Sequence, residues 1–373
     1  MPQSSYNRIY IDIAALRNNY GMIQNLVGPA VQILAMVKSD AYGHGLIHCA
    51  AALSQAGASY FGVAELEEAV ALRQAGISGD IILLLGCHDV QALIRHKLTP
   101  VVFDLDNIRA ISAVATTNNV QIGLHLKIDV GMGRLGVMPE ELQLFTAEIA
   151  RLPGVYLAGV LGHFPMADQD EALTCSQNDA FTKLVGSLAD DVGRATKPVC
   201  IHIANSAALI QYPEVRQKMV RPGISLYGCY PMHNLAESVK LQPVMSFKTQ
   251  VVQVKNVPAG YGISYGHLFE TRRPSRLAVL PVGYADGYLR SLTGQASVLI
   301  KGQRVSVCGR ICMNACVVDI TDISGVQVGD EVVLLGRQDN AVISAEEVAG
   351  WMNTINYEVL CLFGNNNARE YIN

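Results

Sequence analysis

The chain has 373 residues, half of them hydrophobic and 16% charged, which is enough for about two domains and excludes an intrinsically disordered chain. A formal net charge of −4, with no block of basic residues, excludes the usual footprint of a nucleic-acid-binding protein, and no apolar run is long enough for a membrane span. Nine scattered cysteines and an N-terminus without an apolar segment predict a cytoplasmic protein with reduced thiols and no membrane or nucleic-acid partner.

The N-terminal half of the sequence alternates between short apolar runs and helical patterns. Arg8–Asp12 predicts a first strand, and Asp12 is placed to cap the helix that follows. The later runs that predict strands are Ile33–Val37, Tyr60–Ala64, Ile81–Leu85, Val101–Phe103, Ile122–Ile128, Tyr156–Leu161, Val199–Ile203 and Met219–Ile224. Helical patterns such as Glu65–Gln74 lie between them. Eight such units fit a (β/α)8 TIM barrel, with a doubly wound open sheet as the alternative.

Beyond about Leu235 the pattern changes to short β-branched runs that tight turns separate. The predicted strands here are Val251–Val254, Leu277–Pro281, Ser297–Ile300, Val305–Cys308, Val317–Ile320 and Val332–Leu335. The sequence therefore predicts a barrel over residues 12–235 and a mostly β C-terminal domain over residues 236–373.

Polar residues lie at the C-terminal ends of the predicted barrel strands or, for Arg221, within the eighth strand, and the C-terminal ends form the active-site face of such a barrel. They are Lys38, Lys127, Asp129, His163, Asn205, Ser206 and Arg221. Lys38 directly follows a buried run, so we expect a partly desolvated amine suited to imine chemistry. The alternative is a lysine that reaches from the barrel mouth into water.

Motifs along nearly the whole sequence resemble those of the bacterial alanine racemase family, whose fold is a (β/α)8 barrel followed by a β domain. They are Ala35–Gly45, Leu126–Gly136, Gly162–Phe164, Ala204–Ala208, Arg221–Gly228, Ser264–Gly266, Val282–Gly287, Gly309–Met313 and Thr354–Glu358. The resemblance implies that residues 1–11 form a strand that joins the C-terminal domain. It also implies a pyridoxal 5'-phosphate cofactor and a homodimer with shared active sites.

The resemblance assigns two bases. Lys38 carries the cofactor and acts on the α-proton of D-alanine, whereas Tyr265 comes from the partner subunit and acts on the opposite face. A phenol is a weak base at neutral pH, and His163 and Arg221 match the residues that organise its neighbourhood. Without the resemblance, Tyr265 between Ser264 and Gly266 is interpreted as a turn tyrosine. For Arg221, before Pro222 and Gly223, the less favoured alternative is a residue that closes a barrel turn.

The resemblance also assigns the binding residues. The cofactor contacts that it implies are Lys38, Tyr42, Arg134, His163, Asn205, Ser206, Arg221, Gly223, Ile224 and Tyr357. The implied substrate contacts are Arg134, Tyr265, Tyr284 and Met313. Lys127 matches a lysine that is carbamylated in many family members. From the residues alone, Ser206 is a helix cap.

The spacing of Cys308, Cys312 and Cys316 is close to that of an iron–sulfur motif but one residue too long, and Val305–Ile320 predicts two strands around a turn. We therefore expect buried or site-lining thiols and no metal.

These patterns favour an enzyme that interconverts L- and D-alanine, a small amino-acid substrate, and supplies D-alanine for bacterial peptidoglycan. Three alternatives remain. A serine or broad-specificity racemase shares the scaffold, and Asn314, which stands where the family commonly has Asp, leaves this open. A fold-related decarboxylase shares the barrel and its lysine. A non-catalytic carrier of the cofactor is typically a lone barrel, so the second domain argues against it.

Overall fold

A computed structural model describes residues 5–186, 188, 198–232, 235 and 238–373. Within these ranges the chain divides into two compact units. The first comprises Leu16–Ala41 and Leu46–Leu241, and the second comprises the N-terminal segment up to Ala15, Tyr42–Gly45 and Gln242–Asn373. The predicted boundary between residues 235 and 236 borders positions 233–234 and 236–237, which lie outside the described residues. Among the described residues, no helix has the length and apolar character required to cross a membrane.

The first unit contains a closed barrel of parallel strands. In the described part of the chain these are β2 (Gln32–Met36), β3 (Tyr60–Val63), β4 (Asp80–Leu83), β5 (Leu98–Val102), β6 (Ile122–Lys127), β7 (Val155–Leu161), β8 (Cys200–His202) and β9 (Met219–Val220). β2 pairs with β9 at Gln32 and Met219, which closes the ring. The barrel prediction is confirmed, and the alternative of an open sheet is wrong.

In the described ranges, one helix precedes the first barrel strand, and the others follow barrel strands in sequence. They are α1 (Ile13–Val27), α2 (Leu46–Gln55), α3 (Leu66–Gln74), α4 (Val90–His96), α5 (Leu105–Thr117), α6 (Leu142–Arg151), α7 (Glu171–Gly186) and α8 (Ser206–Gln211). Asp12 accepts a hydrogen bond from the Ala15 N–H (2.8 Å), so the predicted cap at the start of α1 is confirmed.

The last barrel strand is shorter than the predicted Met219–Ile224. It ends at Val220, because Pro222 has no N–H with which to continue a ladder. Ile224–Tyr227 instead form a 3₁₀ turn. Arg221 therefore lies just beyond the strand, where its backbone N–H donates to Ala204 O (2.9 Å).

The second unit is mostly β, as predicted. Its strands, as far as the chain is described, are β1 (Arg8–Asp12), β10 (Met245–Gln250), β11 (Gln253–Val257), β12 (Gly262–Ile263), β13 (Phe269–Glu270), β14 (Ser275–Leu280), β15 (Ser297–Ile300), β16 (Gln303–Cys308), β17 (Cys316–Asp319), β18 (Glu331–Gln338), β19 (Ala341–Ile343) and β20 (Arg369–Ile372). The main sheet has the order β11-β14-β17-β16-β15-β18-β10-β1-β20, with β19 on β18. β12 and β13 form a separate hairpin.

Two features of this unit differ from the sequence prediction. The run Val251–Val254 is not one strand: Val251 donates to Asp330 O (3.0 Å) and Val252 to Val279 O (3.0 Å), so the chain changes pairing partner there. The helices α9 (Ala345–Met352) and α10 (Asn356–Asn366) were not predicted.

Candidate active site

Lys38 begins a left-handed turn, and Val37 separates it from the end of β2. Ser39, Asp40 and Ala41 have φ values of +54°, +53° and +55°. This backbone costs roughly 1–2 kcal/mol per residue for L-amino acids, so it persists only where the surroundings hold it. The strain therefore lies directly beside the half-buried Lys38.

Hydrogen bonds to neighbouring elements hold the left-handed turn. The Ala41 N–H donates to Val37 O (2.8 Å), and the Asp40 N–H donates to Glu68 Oε1 in α3 (3.1 Å). Asp40 Oδ1 in turn accepts from the Leu46 N–H at the start of α2 (2.7 Å). Sequence reasoning missed Asp40 and Glu68, because Asp40 lies six residues before Leu46 and 28 residues before Glu68, so neither contact has a local sequence signal.

Arg221 is buried at the C-terminal ends of the barrel strands, where acceptors surround its guanidinium. Its Nη2 donates to the carbonyls of Gly162 (2.6 Å) and Ile203 (3.0 Å) and lies 3.1 Å from His163 Nδ1. Its Nη1 lies 3.0 Å from His202 Nδ1. Burial lowers the pKa of Arg221 to about 10, which leaves the group charged at neutral pH. The side chain is therefore a fixed donor next to His163.

Lys127 ends β6 as a buried lysine among other cations. Burial lowers its pKa to about 8, helped by the charges of Arg134, Arg221 and Lys38 and opposed by Asp129. Burial also lowers the pKa of His163 well below its ordinary value, as do these same cations. Cations held this close together create a region in which an anionic group would be stabilised.

Asp129 orders the loop that carries Arg134. Its Oδ1 accepts from the backbone N–H groups of Gly131 (2.9 Å), Met132 (2.8 Å) and Gly133 (3.1 Å), and its Oδ2 accepts from that of Arg134 (3.1 Å). Burial opposes ionisation of Asp129, but these hydrogen bonds prevail and lower its pKa. The sequence placed Asp129 on the rim without a role, and the structure shows that it shapes the backbone beneath the exposed Arg134.

Ser206 is not the cap of α8, the role that it would have from its sequence alone. Asn205 is the cap and accepts from the Ala208 N–H (3.1 Å). The buried Ser206 Oγ instead accepts from the backbone N–H groups of Gly223 (2.9 Å) and Ser225 (3.4 Å), and Ser225 Oγ donates to it (3.0 Å). Hydroxyl groups and backbone N–H donors thus lie close together around Ser206. Sequence reasoning did not identify Ser225 as part of this cluster.

Tyr42 and Tyr357 meet in the second unit. Their ring centroids are 6.1 Å apart, and burial, together with the proximity of Tyr357, raises the pKa of Tyr42. Gly43 allows the close packing behind them: its φ is +81°, and a Cβ at this position would lie 2.5 Å from Leu360 O in α10. The unpredicted helix α10 therefore carries Tyr357 to Tyr42.

Tyr265 lies at the surface of the second unit, with 69% of its area exposed. The preceding Ser264 has φ +62° and ψ −170°, a region that residues other than glycine rarely occupy. Its hydroxyl donates to Arg310 O (2.6 Å), which ties the strained backbone to the segment after β16.

Met313 and Tyr284 belong to the same surface. The Tyr284 N–H donates to Cys312 O (3.2 Å), and Cys312 Sγ lies 3.3 Å from Ser264 Oγ. Both side chains are exposed, at 56% for Met313 and 40% for Tyr284. We call Tyr265, Tyr284 and Met313 the exposed patch.

The three neighbouring cysteines follow the prediction of two strands around a turn, because β16 and β17 pair in antiparallel fashion. Cys308 and Cys316 are buried, and burial raises the pKa of both thiols, that of Cys308 to about 12. Thiols in this state are poor nucleophiles and poor metal ligands. Within the described ranges, no group of three or more His, Cys, Asp or Glu side chains is arranged to hold a metal ion.

The predicted site residues thus fall into groups that each lie within one unit. These groups are Lys38, Lys127, Arg134, His163 and Arg221; Ser206 with Gly223; Tyr42 with Tyr357; and the exposed patch. Asn205 serves as a helix cap, and Ile224 begins the turn after Gly223. That Tyr265 faces Lys38 of another chain stays a prediction.

Comparison with known proteins finds matches over most of the chain. A family described as "Alanine racemase, N-terminal domain" matches residues 11–231, and "Alanine racemase, C-terminal domain" matches residues 244–371. A relative named alanine racemase from Syntrophobacter fumaroxidans is 41% identical, with 99% of this chain and 98% of the relative covered. Solved alanine racemase structures from Streptomyces lavendulae and E. faecalis both superpose with a TM-score of 0.92. The S. lavendulae structure is 33% identical, and the match covers 98% of its length. The E. faecalis structure is 32% identical, and the match covers its full length. Both matches cover 100% of this chain. The chain belongs to the alanine racemase family.

Proposed function

We propose that this protein interconverts L- and D-alanine with pyridoxal 5'-phosphate. The observation that carries the proposal is the half-buried Lys38 in its strained turn, electrostatically coupled to Lys127 and His163 beside the fixed donor Arg221. Only a primary amine forms an exchangeable imine with an aldehyde cofactor, and the buried cations favour an anionic ligand.

The residues present fit the cofactor. When bound, pyridoxal phosphate supplies an aldehyde that takes the substrate amine and a ring that acidifies the Cα–H bond. Lys38 would hold the aldehyde and Arg221 the ring nitrogen. Phosphate binding requires hydroxyl and backbone N–H donors more than charge, and Ser206 and Gly223 provide such a cluster. The family resemblance adds Tyr42, Asn205, Ile224 and Tyr357 to the cofactor contacts.

Two bases would move the proton. The Lys38 amine takes or returns the α-proton of D-alanine, and the phenol Oη of the partner subunit's Tyr265 does the same for L-alanine from the opposite face. The 69% exposure of Tyr265 in one chain supports a homodimer in which this side chain enters a neighbouring site. His163 and Arg221 would then organise the surroundings of the phenol.

Arg134 would bind the substrate carboxylate. Its guanidinium is a bidentate donor, and the loop that Asp129 orders fixes the backbone beneath it. Met313 and Tyr284 of the exposed patch would complete the substrate site from the partner chain. In the cytoplasm of a bacterium, the product D-alanine would serve peptidoglycan synthesis.

The reaction is tested by incubating the protein separately with L-alanine and L-serine in deuterated water and measuring chirality and α-deuteration. We expect both enantiomers of alanine, deuterated at Cα, with no net consumption. Faster conversion of serine would replace the alanine assignment with a serine or broad-specificity racemase. Release of CO2 without any D-enantiomer would contradict racemisation and indicate a decarboxylase.

Lys127 is expected to carry a carbamate. Its neutral amine adds to CO2 with loss of one proton, and the resulting anion would pair with Arg134, whereas an ammonium would repel it. With a pKa of about 8, the amine is mostly charged at pH 7 and mostly neutral at pH 9, so carbamate formation should rise across that interval. Intact mass under non-acidic conditions with added bicarbonate should show one extra CO2, which a Lys127→Met variant lacks. An unmodified mass across the interval would contradict the assignment.

A further inference from the structure

Two buried histidines inside the barrel continue the hydrogen-bond chain that begins at Arg221. His202 Nδ1 lies 3.0 Å from Arg221 Nη1, and His202 Nε2 lies 2.9 Å from His125 Nδ1. His202 is fully buried, and His125 is 5% exposed. The proposed reaction gives neither histidine a role.

The chemistry of the three side chains determines which atom donates and which accepts in each of these hydrogen bonds. A guanidinium can only donate, so His202 Nδ1 must be an acceptor and its proton must sit on Nε2. That Nε2–H then points at His125 Nδ1, which must accept in turn. Burial first, and then the charge of Arg221, lowers the pKa of His125 to about 4 and that of His202 well below its ordinary value, so both imidazoles are neutral.

The fold makes room for His125. The register between β6 and β7 shifts after Leu124, which aligns His125 with Gly159. A Cβ at Gly159 would lie 2.5 Å from His125 Cε1, so the ring occupies space that any other residue would fill. The bulge between β6 and β7 and the absence of a side chain at Gly159 thus leave space for the imidazole of His125.

We propose that His125 is a positioning residue which, by accepting from His202, holds His202 in the tautomer that anchors Arg221. Without an acceptor at this point, the His202 Nε2–H is buried without a partner, and the imidazole no longer has one fixed orientation. Arg221 then loses one of the contacts that aim its guanidinium. The consequence for catalysis rests on the proposed function, whereas the anchoring of Arg221 does not.

The test compares two substitutions in the full-length protein. His125→Asn keeps an acceptor oxygen near the position of the imidazole Nδ1, and His125→Leu removes it. In protein labelled with ¹⁵N-arginine, the Nη protons of Arg221 are assigned by their absence in Arg221→Lys. They should give separate, slowly exchanging resonances in the wild type and in His125→Asn, and should merge or broaden in His125→Leu. We also expect kcat for alanine to fall about tenfold in His125→Leu relative to His125→Asn, with little change in KM.

Leu126→Ala serves as the control, because Leu126 is the adjacent, fully buried residue of β6. It should lower thermal stability without changing the Arg221 resonances. Unchanged resonances in His125→Leu, or equal effects of the Asn and Leu substitutions, would overturn the proposal. If the Arg221 resonances merge in His125→Leu but kcat is unaltered, the proposed effect of His125 on catalysis is wrong. If the wild type fails to racemise alanine, the proposed function fails, and the resonances still decide whether His125 anchors Arg221.

Discussion

Replacing Tyr265 with phenylalanine should lower alanine racemisation by about 10²–10⁴-fold, the usual contribution of a general base. The substitution removes one oxygen from a side chain that is 69% exposed, so the fold should be unaffected. Because Lys38 remains, the variant should still exchange the α-hydrogen of D-alanine with deuterated water, while L-alanine should exchange only very slowly. Chirality and α-deuteration, measured on each enantiomer separately, report both effects.

The matched control for this prediction is Tyr261→Phe. Tyr261 is another exposed tyrosine of the second unit, at 42%, and has no part in the proposed site. Removal of the Tyr261 hydroxyl should leave racemisation unchanged. If Tyr265→Phe keeps racemisation within about threefold of the wild type, the phenol is not a base.

Replacing Arg221 with glutamate should change which product forms as well as the rate. Arginine donates a hydrogen bond without giving up its proton, which disfavours a protonated ring nitrogen and a strongly electron-withdrawing ring. A glutamic acid can carry a proton to that nitrogen. We therefore expect racemisation to fall and the share of turnovers that end in transamination to rise, measured as pyruvate released per racemisation event.

The substitution also removes the donor that satisfies the carbonyls of Gly162 and Ile203. Each unsatisfied buried carbonyl costs about 1–3 kcal/mol, so the thermal midpoint should fall as well. Arg221→Lys is the control, since it retains a basic side chain at this position and introduces no carboxylic acid, and it should lose activity without gaining transamination. Equal pyruvate release from the Glu and Lys variants would argue against this role of Arg221.

The barrel could be predicted from the sequence because its strands are buried on both faces and form continuous apolar runs, such as Ile33–Val37. The eighth barrel strand was predicted too long, because an apolar run does not show where the hydrogen bonds between strands end. In the structure they end before Pro222, which has no N–H to donate. α9 and α10 were missed because they interrupt a region with a dominant β pattern.

The site was predictable as a set of residue types at strand ends, but its supporting structure was not. No local preference predicts a left-handed turn at Ser39–Ala41, because none of these residues is glycine, and the turn depends on contacts with Glu68 and Leu46. The same applies to Ser206, whose partners Gly223 and Ser225 are distant in sequence. Tertiary contacts, rather than sequence neighbours, determine these positions.

The central claim is that an amine and a phenol from two different chains act on one substrate. It is tested by mixing inactive Lys38→Ala chains with inactive Tyr265→Phe chains under conditions that allow subunits to exchange, and then measuring alanine racemisation. If sites are shared, half of the dimers are mixed and each has one intact site, so activity should return to about a quarter of the wild-type value. Activity that stays at the level of the separate variants, in a mixture shown to contain mixed dimers, would contradict the claim.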